Sequence, residues 1–135
     1  STPLYSSAAS DVYKRQILGR AYLLSNKYAD ADTAFMRVTE FRGDLAIGFL
    51  YRARANAYLD PTSEKGLAKH HYEKFIDKAK DDPERNKRDL VEAYTYLGSY
   101  FYFIKKDKVK SDEAWANVRA IDPANKAAAE AAKLK

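Results

Sequence analysis

The chain has 135 residues, no cysteine, and 24 Lys and Arg against 19 Asp and Glu, a formal charge of +5. The lack of cysteine excludes a disulfide framework, a thiolate metal site and a cysteine nucleophile, and no apolar run approaches the ~18–20 residues of a membrane span. The hydrophobic share of 46% is enough for one core, and the interspersed charges read as a solvated surface rather than a nucleic-acid footprint.

Residues 1–10, STPLYSSAAS, are small and polar without usable periodicity. They are expected to form a leader, weakly structured and outside the helical region. They lack the basic start and apolar stretch of a secretory signal. The block SSAASDVYKRQ resembles the adaptor-derived leaders of assembled sequence libraries. On that reading the natural chain begins upstream with a different N-terminus, and the compartment stays open.

From residue 11 the apolar residues recur with period 3.6, not 2, which predicts amphipathic helices. The first, over 11–25, carries Ile17, Leu18, Ala21, Tyr22 and Leu24. The second, over 28–41, carries Ala31, Ala34, Phe35 and Val38. The third, over 45–59, carries Ile47, Leu50, Tyr51, Ala55, Tyr58 and Leu59. The fourth, over 65–80, carries Leu67, Ala68, Tyr72, Phe75, Ile76 and Ala79. The fifth, over 87–104, carries Leu90, Tyr94, Leu97, Gly98 and Phe101. The sixth, over 108–121, carries Val109, Ala114, Trp115, Val118 and Ile121. An Ala-rich stretch over 124–135 is expected to add a C-terminal capping helix. Asp44 and Asn86 are placed to cap the third and fifth helices. The pairs Asp60-Pro61, Asp82-Pro83 and Asp122-Pro123 fall between stripes, where proline ends helical geometry in the residue before it. Short turns make consecutive helices antiparallel neighbours.

The helix pairs, about 11–41, 45–80 and 87–121, resemble one another. Leu18-Gly19-x-x-Tyr22 aligns with Arg54-Ala55-x-x-Tyr58 and Leu97-Gly98-x-x-Phe101. Each is followed by a small residue and an aromatic four positions on: Ala31 with Phe35, Ala68 with Tyr72, Ser111 with Trp115. With Pro123 closing the last copy, this resembles the tetratricopeptide repeat (TPR), of period 34. The resemblance implies an all-α fold in which three helix-turn-helix repeats stack into a short right-handed superhelix, an α-solenoid. The segment DPTSEKGLAKHHYEKFI is further similar to late repeats of long TPR proteins from Bacteroides-type bacteria, implying the C-terminal part of a longer array.

No catalytic constellation is visible. Gly43 and Gly48 are isolated and form no phosphate loop. His70 and His71 are the sole histidines, and adjacent helical residues point ~100° apart, so they do not chelate a metal from one face. The reading is therefore of a non-enzymatic chain without cofactor or metal. By resemblance to the family, partners bind a concave groove lined by the first helices. That implies Tyr13, Gln16, Ile17, Arg20, Leu23 and Leu24 in the first repeat. In the second it implies Phe49, Arg52, Ala53, Asn56, Leu59 and Asp60. In the third it implies Glu92, Thr95, Tyr96, Ser99, Tyr102 and Phe103. Arg20 and Arg52 are suited to a carboxylate and Asn56 to a peptide amide, so the expected partner is a protein or peptide segment. Tyr96, Tyr102 and Phe103 either stack on a ligand or cover a neighbouring helix or the C-terminal cap. The family's clamp for Hsp70 and Hsp90 tails uses Lys, Asn, Asn, Lys and Arg. Its positions hold Gln16, Arg20, Ala53, Glu92 and Tyr96, so that ligand is not expected. The lysines at 105, 106, 108 and 110 are interrupted by Asp107 and followed by Asp112 and Glu113, and read as a solvated turn rather than a nucleic-acid site. The alternative functions are a spacer or self-association module ending a longer array, and an accessory domain of a larger enzyme.

Overall fold

The computed structural model describes the backbone of residues 4–135 and the side chains from residue 9 onward. The described residues form seven α-helices and no strand: α1 (Leu4–Leu24), α2 (Tyr28–Phe41), α3 (Ala46–Leu59), α4 (Lys69–Ala79), α5 (Lys87–Phe103), α6 (Lys108–Ile121) and α7 (Lys126–Ala131). Each packs on the next, as α1/α2, α3/α4 and α5/α6 pairs followed by α7.

Three boundaries differ from expectation. α1 begins at Leu4, so residues 4–10 extend the first helix where a leader is expected, while residues 1–3 lie outside the described residues. Once a helix is nucleated, each added residue gains a backbone hydrogen bond at little cost. α4 begins at Lys69 rather than 65. The buried Asp60 carboxylate accepts from the Lys65 and Leu67 N–H groups at 3.3 and 3.2 Å, holding that stretch as a loop. Ser63 and Gly66 take left-handed φ of 61° and 67°, which a helix does not admit. α7 is shorter than 124–135, and its Ala128 is buried against Trp115 and Val118.

The expected caps are also spent elsewhere. Asp44 is held by Arg42 through two bonds of 2.9 Å, and α3 starts after Leu45 without a side-chain cap. Asn86 precedes α5, but its amide donates to the Ala79 and Asp82 carbonyls, tying down the end of α4. The side-chain caps fall at Asp107, which accepts from the Lys110 N–H at 3.0 Å, and Asn125, which accepts from that of Ala128 at 2.9 Å. Each satisfies one of the orphan donors of a helix start.

Within a pair, contact is made through missing side-chain volume. A Cβ on Gly19 would lie 2.5 Å from the Phe35 ring, and one on Gly98 would lie 2.6 Å from Trp115. Opposite them, Ala31 of α2 and Ala68, just before α4, are fully buried, and the buried Ser111 hydroxyl donates to the Gly98 carbonyl at 2.8 Å.

The second pair sits in a different register from the one its residues suggest. Tyr51 stacks on Phe35 of the preceding pair at 4.7 Å, and Tyr96 lies tilted against Tyr72 of its preceding pair at 4.8 Å. Phe35 and Tyr72 are equivalent, so Tyr51 corresponds to Tyr96 and not to Tyr94. The stripe Gly48, Tyr51, Ala55, Tyr58 faces α2, meeting Val38, Phe35 and Tyr28. The small residue on the α4 side is the fully buried Ala53, which shares a core with Ala68, Tyr72 and Phe75. Gly19, Ala53 and Gly98 are thus equivalent, and Gly19 to Ala53 spans 34 residues, the family's period.

Candidate partner-binding face

The corrected register moves the second repeat's share of the candidate face back by two residues. Ile47, Leu50, Tyr51, Arg54, Ala57 and Tyr58 take the places assigned to Phe49, Arg52, Ala53, Asn56, Leu59 and Asp60. The expected residues then have other partners. Arg52 grips Asp32 of α2 with two bonds, Nε to Oδ1 at 2.9 Å and Nη2 to Oδ2 at 3.3 Å. Asn56, 8% exposed, donates to the same Asp32 oxygen at 2.8 Å and to the Arg52 carbonyl at 2.8 Å. Ala53 and Phe49 pack into the core shared with α4. Arg52 and Asn56 are therefore mortar between the first two pairs. At the equivalent place in the second junction stand Lys69, Leu97 and Phe101, with the Lys69 ammonium 5.8 Å from the Phe101 ring centroid.

Two rows of equivalent residues run across α1, α3 and α5. The first is Arg20, Arg54 and Ser99. The second is Leu24, Tyr58 and Phe103, which are 88%, 61% and 56% exposed. The α1–α3 seam opens as a cleft of about 300 Å³ lined by Arg20, Leu23, Leu24, Tyr51, Arg54 and Tyr58. The α3–α5 side opens as a second, of about 490 Å³, lined by Arg54, Ala57, Tyr58, Pro61, Tyr72 and Glu92. Arg54 and Tyr58 border both, so the two clefts adjoin at these side chains.

Arg54 is the hub of that face. It donates to Glu92 at 2.8–3.2 Å and to Asp89 at 3.2 Å, and its guanidinium lies 5.3 Å from the Tyr51 ring centroid. The hydrogen bonds to Glu92 hold its proton more firmly than usual. Glu92 also accepts from the Tyr72 hydroxyl at 2.9 Å. Burial first, and the Glu92 carboxylate second, raise the Tyr72 pKa, so it serves as a fixed neutral donor. The Arg20 guanidinium lies 6.0 Å from the centroid of the same Tyr51 ring and ion-pairs with no carboxylate among the described residues.

The remaining expected residues are scattered in role. Tyr13 is exposed on α1, and Gln16 and Ser99 are half-buried. The Tyr96 ring lies between those of Tyr72 and Tyr100, and burial raises its pKa. Tyr102 donates to the Lys135 carbonyl at 2.9 Å, tying the C-terminus to α5. The basic turn is partly neutralised, with Lys108 bonded to Asp112 at 2.9 Å. No cluster of three His, Asp or Glu side chains among the described residues is arranged to hold a metal. No helix there is long and apolar enough to cross a membrane.

No family model matches the chain, and no curated protein does. A solved structure does: the C-terminal part of a TPR repeat-containing protein from Cytophaga hutchinsonii, 42% identical, with a TM-score of 0.86 over 91% of this chain. The chain spans 47% of that structure's length. Helix pairing, the small-residue contacts and this similarity agree: the chain is built of tetratricopeptide repeats and is similar to the C-terminal part of a bacterial TPR protein.

Proposed function

We propose that the chain is a non-enzymatic protein- or peptide-binding scaffold, and that its ligand lies on the face shared by α1, α3 and α5, the concave side of a right-handed stack. The observation that carries this reading is the row Leu24, Tyr58 and Phe103. One large apolar side chain per repeat stands exposed at the same position, beside clefts that share Arg54 and Tyr58. Scattered apolar residues on a surface need no explanation, but a regular row along a cleft does. Tyr and Phe provide large contact area at small entropic cost. Arg54, Glu92 and Tyr72 brace one another, so the floor is largely preformed and binding loses little to ordering.

The test is capture from bacterial lysate with the wild-type chain beside a Leu24→Asp, Phe103→Asp variant, both checked for helix content by circular dichroism. A protein held by the wild type and released by the folded variant supports the reading. A protein held equally by both overturns it. A second reading, self-association, is favoured by the exposed Tyr13, Ile17 and Leu18 on α1. Sedimentation across a hundredfold concentration range separates the two: a constant monomer mass removes the second.

A further inference from the structure

We infer that the α1–α3 cleft recognises an acidic side chain next to an apolar one in a peptide segment, with Arg20 holding the carboxylate and Leu24 with Tyr58 seating the apolar neighbour. The inference rests on the groove reading above and adds the ligand's chemistry.

It follows from comparing one position in three repeats. Arg20, Arg54 and Ser99 are equivalent, yet differ in what is left to offer. Arg54 is committed to Glu92 and Asp89. Ser99 carries no charge. Arg20 alone of the three presents a cation without a carboxylate partner among the described residues. Its guanidinium lies 6.0 Å from the Tyr51 ring centroid, a cation–π approach that restricts its freedom. The fork can meet a carboxylate with two parallel hydrogen bonds.

The rest of the cleft sets what accompanies the acid. Beyond the two arginines it is lined by Leu23, Leu24, Tyr51 and Tyr58, around about 300 Å³. That suits an aliphatic or aromatic side chain. A basic residue there would face both Arg20 and Arg54 and is disfavoured. Toward α5 the sign changes, because Glu92 and Asp89 outnumber Arg54. The acidic group therefore belongs at the α1 end of the face.

The chain is immobilised and panned against a random seven-residue phage library. Enriched sequences are made as C-terminally amidated fluorescent peptides, so that any acid comes from a side chain. Affinities are read by anisotropy for the wild type, Arg20→Gln, Arg20→Lys and Tyr58→Ala, all confirmed folded. The expected result is enrichment of Asp or Glu beside Leu, Ile or Phe. Binding should then weaken about tenfold with Arg20→Gln, weaken less with Arg20→Lys, and weaken again when the peptide's acid becomes its amide. Peptides that lose affinity with Tyr58→Ala, yet carry no acid and ignore Arg20→Gln, overturn this inference and leave the groove reading standing. Peptides indifferent to both positions, or no enriched sequence at all, overturn both.

Discussion

The Tyr96 ring lies 4.8 Å from that of Tyr72, at the place in the second repeat junction that Tyr51 and Phe35 occupy in the first, 4.7 Å apart. Aromatic ring pairs in close contact contribute about 0.5–1.5 kcal/mol beyond the area they bury. Double-mutant cycles for Phe35 with Tyr51 and for Tyr72 with Tyr96, each residue changed to Leu and stability read from urea denaturation, should give coupling in that range at both junctions. Coupling at one junction and none at the other would show that the two ring pairs are not equivalent.

Gly19→Ala and Gly98→Ala oppose two rules. Helix propensity alone favours alanine by about 1 kcal/mol. The new methyl would sit 2.5 Å from the Phe35 ring or 2.6 Å from Trp115, and neither ring can retreat without opening the pair. Overpacking of this kind costs about 1–3 kcal/mol, so both variants should unfold at lower urea than the wild type. A gain in midpoint for either would mean that the pair can separate at no cost.

Glu92→Ala should destabilise through Tyr72 more than through Arg54. The Arg54 pair is about one-third exposed, at 31% and 34%, and pairs so placed contribute under about 1 kcal/mol. The Tyr72 side chain is buried, and its hydroxyl would be left unpartnered, a loss of about 1–3 kcal/mol. Glu92→Ala combined with Tyr72→Phe should therefore be more stable than Glu92→Ala alone. If the double variant is the weaker one, the salt bridge dominates instead.

His71 gives the chain an acid sensitivity. Burial, then the Arg52 charge and His70, lower its pKa to about 4, against the opposing pull of Asp32. The folded state thus binds fewer protons than the unfolded state between about pH 6.5 and pH 4. The neutral imidazole's contribution is complete above the unfolded pKa of about 6.5 and is lost as the pH falls toward about 4. Thermal midpoints from pH 7.5 to 4 should fall for the wild type and fall less for His71→Gln. Parallel curves would show that carboxylates elsewhere set the acid limb.

The helices were legible because burial repeats every 3.6 residues whatever the details of the neighbours. α2 and α6 occupy the spans their apolar stripes predict. The second repeat's register was not, because two small residues, Ala53 and Ala55, lie two apart and both are fully buried. One meets α4 and the other meets α2, and composition alone does not say which is which. Keeping the 34-residue spacing from Gly19 would have selected Ala53, and with it Arg54 and Tyr58 in place of Asn56 and Asp60. The caps were misplaced for a related reason. Asp44 and Asn86 are good capping residues, but Arg42 and the end of α4 compete for them.

The two junctions meet the same geometric demand with opposite chemistry. Asp32 of α2 is met by Arg52 and Asn56, whereas its counterpart Lys69 of α4 lies against Phe101. Were the second and third helix pairs exchanged, Asp32 would be pressed on Leu97 and Phe101, and would leave water without a donor. The order of the repeats is thus written in their contacts. The array is addressed, with each helix pair fitted to its own predecessor, and shuffled or duplicated versions would have to change Asp32 or its partners before they could close.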